Sequence, residues 1–147
     1  MVALLLGIVG KAETINVYKV NKFVVIDGDT IAVTVNGEAI KIRLLKIDCF
    51  ETVNSLRAKW QAEVYNKSLN EVLQIGRESK MILVHLMEEE KENIYVELKG
   101  QDRFRRRLGT FYILQDTKFV NVNHYMLEFG RCVPYKPKPR GWKPYKK

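Results

Sequence analysis

The dipeptide Asn36-Gly37 stands between two β-rich runs, residues 30–35 and 38–47. No other feature of the chain restricts the fold as much. Asn-Gly supplies the two positive-φ positions of a tight type I′ turn, so the flanking runs form a two-residue hairpin whose length sets the register. Val35 then faces Glu38, Val33 faces Ile40, Ile31 faces Ile42 and Thr30 faces Arg43. Because side chains alternate across a strand, Ile31, Val33, Ile40, Ile42 and Leu44 share one face, and that face is the core face.

Around this hairpin, residues 14–26 are rich in Val, Ile, Tyr and Phe and predict one or two further strands. Leu56, Trp60, Val64, Leu69, Val72 and Leu73 recur at helical spacing up to Gly76, which predicts a helix of about five turns with one apolar stripe on the sheet. Residues 80–86, 94–98 and 108–114 read as strands. Val122, Met126 and Phe129 mark a short helix ending at Gly130. Beyond Cys132, Pro134, Pro137, Pro139 and Pro144 remove backbone donors and stop regular structure. The order predicts an α+β, mainly β domain: a five-stranded Greek-key barrel of the oligonucleotide-binding type with two packed helices.

A chain of 147 residues suits one compact core, and no apolar run reaches the roughly 20 residues of a membrane-spanning helix. The two cysteines, Cys49 and Cys132, and the two histidines, His85 and His124, are too dispersed for a zinc motif, so a metal would be held by carboxylates. Three stretches differ in composition. Residues 1–12 are apolar and read either as the end of a secretory signal cut after Ala12 or as a first strand. Residues 13–133 form the domain, and 134–147 are a basic, Pro-rich tail. Of the net charge of +8, residues 131–147 supply seven positive charges and no negative one. That segment reads as solvated, or as a polyanion-seeking extension in which Tyr135, Trp142 and Tyr145 are surfaces for stacked bases.

Four carboxylates flank the central hairpin: Asp27 and Asp29 before its first strand, Asp48 and Glu51 after its second. Strand pairing draws these ends together, and crowded carboxylates are relieved by a hard divalent cation with oxygen ligands. Asp-Gly-Asp-Thr alone is an ordinary turn sequence. The arginines add the other half of a phosphate site, with Arg43 on the same hairpin and four guanidinium groups within Arg103-Phe104-Arg105-Arg106-Arg107. Such forks bind phosphate oxygens and stabilise a phosphoryl transition state. The plainer reading is a charged turn with Arg103 paired to Asp102.

Asp27-Gly28-Asp29-Thr30, Ile42-Arg43-Leu44-Leu45, Ile47-Asp48-Cys49-Phe50-Glu51-Thr52, Asp102-Arg103-Phe104-Arg105-Arg106-Arg107-Leu108-Gly109 and Val120-Asn121 together resemble the staphylococcal nuclease (thermonuclease) family in order and spacing. The resemblance runs over about residues 24–130. It implies calcium-dependent hydrolysis of DNA and RNA to 3′-phosphate and 5′-hydroxyl ends. Carried over by position, it implies that Asp29, Asp48 and the Cys49 carbonyl hold calcium, with Asp27 behind them. Glu51 would activate the attacking water, and Arg43 and Arg106 would bind the phosphate. Arg103, Phe104 and Tyr135 would contact substrate.

The chain departs from the family at Phe50, where Pro is usual, and at Arg105, where Gly is usual and a positive φ costs Arg roughly 1–2 kcal/mol. It also lacks the family's C-terminal helix, and residues 1–12 are a candidate replacement cover. The resulting expectation is a monomeric, secreted or cell-envelope nuclease, or a cytoplasmic one if residues 1–12 belong to the fold. The alternative is a non-catalytic nucleic-acid-binding barrel, which would have no need of Asp29, Asp48, Glu51, Arg43 and Arg106 together.

Overall fold

The computed structural model describes residues 2–6, 15–35 and 37–144. The hairpin has the expected register: β4 (Thr30–Val35) pairs with β5 (Glu38–Leu44) with Thr30 facing Arg43 and Val35 facing Glu38. Asn36 lies outside the described residues, and Gly37 has the positive φ of 81° that the turn demands. Ile31, Val33, Ile42 and Leu44 are buried, while Ile40 packs half-buried at the margin.

The remaining strands are β1 (Val2–Leu6), β2 (Ile15–Lys19), β3 (Phe23–Asp27), β6 (Ile47–Asp48), β7 (Ile94–Gln101), β8 (Arg107–Gln115), β9 (Lys118–Asn121) and β10 (Val133–Pro134). Eight form one sheet in the order β1-β2-β7-β8-β5-β4-β3 with β9 on β8, and β6 pairs with β10. Every pairing is antiparallel except β5 with β8, which run parallel. The architecture is therefore mixed and mainly β, and the hydrogen-bonded ladder is an open path. β2 and β3, far apart on that path, are joined by only residues 20–22. At this bend the Val20 N–H donates to the Ile94 carbonyl at 2.8 Å, and the Lys22 carbonyl accepts from the Thr34 N–H at 3.2 Å.

Three helices lie among the described residues where two were expected: α1 (Leu56–Val64), α2 (Leu69–Glu89) and α3 (Val122–Glu128). The single long helix predicted up to Gly76 is broken at residues 65–68. Ser68 and Glu71 form a reciprocal capping box there and start a new helix. In α1 the buried residues are Ala58, Trp60 and Gln61, whereas Leu56 and Val64 are exposed. α2 runs on through residues 80–86, so the strand predicted there is wrong. Val72, Ile75, Ser79, Leu83 and Met87 form one continuous buried helical stripe. Gly76 is no stop signal but a point of close approach, since a Cβ there would lie 2.2 Å from the Glu51 carbonyl oxygen.

Phe111, Ile31, Ile42, Ile94, Ile113, Leu83 and Met126 are among the fully buried side chains of the core between sheet and helices. A second cluster of Phe50, Ala58, Val72 and Ile75 seats α1 on α2. β1 adds antiparallel to β2 with Leu4 facing Val17. Ala12, like Tyr145, falls outside the described residues. After α3 no helix follows among the described residues, and no described helix is long and apolar enough to cross a membrane.

Candidate active site

Two local devices gather the carboxylates. The Asp27 side chain accepts the Asp29 N–H at 3.1 Å, curling the turn between β3 and β4. The Leu44 N–H donates to the Asp29 carbonyl at 2.8 Å, which locks that turn to the end of β5. Gly28 is needed here because a Cβ would meet the Cys49 side chain at 2.9 Å. The Cys49 N–H in turn donates to Asp29 Oδ2 at 2.7 Å. Cys49 is disulfide-bonded to Cys132, 83 residues away, so the site loop is tied covalently to the segment after α3.

Asp27, Asp29, Arg43, Asp48 and Glu51 line a cleft of about 610 Å³. Arg103, Phe104, Arg106 and Tyr135 line the same cleft. Of the ten residues that the resemblance assigns to the site, Cys49 alone is set back from this surface, its carbonyl accepting from Gln61 Nε2 at 3.3 Å. The parallel pairing of β5 with β8, with Arg43 facing Leu108, brings Arg43 beside the loop that carries Arg106.

Arg43 bridges two buried carboxylates, with Nη1 3.0 Å from Asp29 Oδ2 and Nη2 3.3 Å from Asp48 Oδ1. Its Nη1 is within ion-pair distance but is not aligned for a hydrogen bond, so that donor is unspent. Burial pushes the Asp29 carboxyl well above its ordinary range despite the pull of Arg43, and neighbouring Asp27 adds to the rise. Glu51 is raised for the same reasons, burial first and Asp27 next, with Arg57 opposing. Four carboxylates share the site with two close guanidinium groups, so negative charge is in excess by count, while the raised pKa values stem first from burial.

Asp102 organises the arginine loop. It accepts the Phe104 and Arg106 N–H groups at 2.9 Å each through Oδ1, and Arg106 Nε at 2.7 Å through Oδ2. These donors outweigh the effect of burial and hold Asp102 below the usual carboxylate range. Asp102 thus pairs with Arg106, not with Arg103 as the plainer sequence reading had it. Arg105 has φ 64°, the strained conformation expected where Gly is usual. Each phosphate-binding candidate lies over an exposed aromatic ring: Arg106 5.7 Å from the Phe104 centroid and Arg43 5.9 Å from that of Tyr135. Tyr135 is brought in by β10 and by its own N–H, which donates to the Lys46 carbonyl at 3.0 Å.

Four participants escaped the sequence reading. Arg57 on α1 reaches Asp48 Oδ2 at 2.8 Å and Glu51 Oε1 at 3.7 Å. Gln61, one turn on and fully buried, donates to Asp48 Oδ2 at 3.2 Å and accepts the Glu51 N–H at 3.0 Å. Lys138 lines the cleft from the tail. Asn123 is buried and links the Phe111 N–H to the Leu45 and Gly109 carbonyls, whereas Asn121, quoted in the motif, is the cap of α3. The 57/61 spacing of a helix face was the available signal for the first two.

The donors present, carboxylates of Asp29 and Asp48 and the carbonyl of Cys49, are hard oxygens of the kind calcium takes, and the leftover negative charge suits a divalent ion. Among the described residues, no three acidic, Cys or His side chains converge on one point as ion ligands. Arg43 and Arg57 take up the Asp29 and Asp48 oxygens instead.

No protein-family profile matches the chain. Over 117 residues it is 30% identical to the uncharacterized protein MJ1439 of Methanocaldococcus jannaschii, an alignment that covers 76% of this chain. The same alignment covers 56% of that relative, so the chain spans little more than half of its length.

Proposed function

We propose that this chain is a calcium-dependent nuclease that hydrolyses DNA or RNA phosphodiesters to 3′-phosphate and 5′-hydroxyl ends. The observation that carries the reading is that Arg43 and Arg106 line one cleft together with Asp29, Asp48 and Glu51. A site for binding alone gains nothing from buried carboxylates in a phosphate-binding cleft, because they repel the ligand. Hydrolysis uses both signs of charge.

In this reading Glu51 accepts a proton from the attacking water, and the water oxygen bonds to phosphorus as the bond to the 5′ oxygen breaks. Arg43 and Arg106 hold the non-bridging oxygens and offset the charge that develops on them, Arg106 being aimed by Asp102. Asp29, Asp48 and the Cys49 carbonyl would hold calcium, whose chemistry is to polarise the phosphate. Phe104 and Tyr135 offer stacking faces to bases on either side, and Arg103 a further cation.

The sheet, in this proposal, is an oligonucleotide-binding barrel in which β2 and β3 are halves of one bent strand. The strand order and the two hydrogen bonds at the bend support it, since a continuous β2–β3 strand would close the path. The Cys49–Cys132 bond supports a secreted or envelope location, where disulfides persist. We take the working unit to be a monomer.

The test is incubation with single-stranded DNA and RNA, with calcium or with excess chelator, followed by end-group analysis. Calcium-dependent release of 3′-phosphate ends is the expected result. Binding without cleavage in saturating calcium would leave the non-catalytic alternative, and full cleavage in chelator would remove calcium.

A further inference from the structure

The helix α1 brings a cation to the carboxylates of the cleft. It is capped by Ser55, whose hydroxyl accepts the Ala58 N–H at 3.0 Å, and it is seated by buried Ala58 and Trp60. From this base Arg57 reaches Asp48 and Glu51, and its guanidinium lies 5.2 Å from the Trp60 ring centroid. The Arg57 Nη2 that touches Asp48 is buried and, like Arg43 Nη1, makes no aligned hydrogen bond. Asp48 does not need it for orientation, because Gln61 already donates to the same oxygen and Arg43 to the other. Arg57 also lines the cleft, with its guanidinium on Asp48 and Glu51.

We infer that Arg57 is a tethered counter-ion that occupies the calcium-binding carboxylates when no metal is bound and is displaced from Asp48 when calcium enters. This inference rests on the calcium reading above and adds to it a built-in competitor. Its purpose is physical: it offsets part of the excess negative charge of the empty cluster, and it sets the calcium concentration at which the site loads. Asp48 is the shared ligand, so the two cations cannot both use its Oδ2 at full strength.

The experiment is calcium titration by calorimetry of the full chain, as wild type, Arg57→Gln and Arg57→Lys. Breaking the 2.8 Å Arg57–Asp48 ion pair so that calcium can enter costs about tenfold in affinity, even at the dielectric of water. Arg57→Gln should therefore bind calcium at least tenfold more tightly, and Arg57→Lys, which keeps the charge, should stay near wild type. A residue that merely braces the loop would give weaker binding on removal. Equal or weaker binding by Arg57→Gln, with wild type binding normally, overturns the inference and leaves the nuclease reading standing. No binding by any of the three overturns both.

A second readout needs no change at Arg57. In a Trp142→Phe background Trp60 is the remaining tryptophan, and displacement of the overlying guanidinium should shift its emission with the same calcium midpoint as the calorimetry. Unchanged emission at saturating calcium would overturn the inference.

Discussion

Gly76→Ala is the smallest change that tests whether α2 positions the loop that carries Glu51. The added Cβ would sit 2.2 Å from the Glu51 carbonyl oxygen and 2.6 Å from that of Phe50, where separations below 3.0 Å are essentially never adopted. Both atoms are backbone, so no rotamer change relieves the clash, and helix or loop must yield by nearly 1 Å. Such overpacking costs about 1–3 kcal/mol, offset by about 1 kcal/mol from the better helix propensity of Ala. The net loss of stability is therefore small, about 0–2 kcal/mol, and a urea titration should show at most a modestly lowered midpoint. Function should suffer more, because moving a catalytic group by about 1 Å costs about 100-fold in rate. Steady-state hydrolysis of a short oligonucleotide measures it. Near-native turnover in a folded Gly76→Ala protein would show that Glu51 is either not held by α2 or not the base.

Three further outcomes are expected. Replacing Cys49 and Cys132 by Ser frees a loop with a sequence separation of 83 and should cost about 4.5 kcal/mol in denaturant unfolding; an unchanged midpoint would show that the link does not restrain the unfolded chain. Because burial first and Asp27 next raise Glu51, its carboxyl in the metal-free protein should titrate above the ordinary Glu value of about 4.3 when followed by NMR; an ordinary midpoint would contradict that burial. The linked stability has the matching sign: protonation of Asp29 and Glu51 favours the folded form, a contribution present in full below their unfolded values and lost as pH rises through the raised ones. Deleting residues 139–147, which leaves Lys138 in the cleft, removes four cations and should flatten the salt dependence of single-strand binding by about 0.7 in log–log slope for each phosphate no longer neutralised. Cleavage of a dinucleotide should hardly change; an unaltered slope would mean that the segment does not touch the phosphates.

What could be read from the sequence was whatever a few neighbouring residues decide. The Asn36-Gly37 turn set the register of β4 on β5 residue by residue, and with it the convergence of Asp29, Arg43 and Asp48. The helices were harder. Ser68 and Glu71 carry a capping box, but the apolar residues on either side kept the same helical period, so two helices read as one. Gly76 looked like a stop because Gly costs helix stability. Its reason for being there is the backbone of Phe50 and Glu51, which no local pattern announces. In residues 80–86 a dense apolar run hid the helical stripe of Ser79, Leu83 and Met87. Arg57 and Gln61 escaped because their partners lie across a helix–loop interface, and Asp102 was given the wrong arginine because loop geometry chose Arg106.

Whether this cleft hydrolyses phosphodiesters is decided by comparing turnover with oligonucleotide binding in wild type, Glu51→Gln and Arg106→Ala under saturating calcium. Each variant should lose roughly two or more orders of magnitude in turnover while binding weakens only modestly, because in the proposed mechanism Glu51 acts on the water and Arg106 on charge that develops in the transition state. Near-native turnover in either variant would mean that the residue does not act in hydrolysis, and that the cleft is not the nuclease site proposed for it.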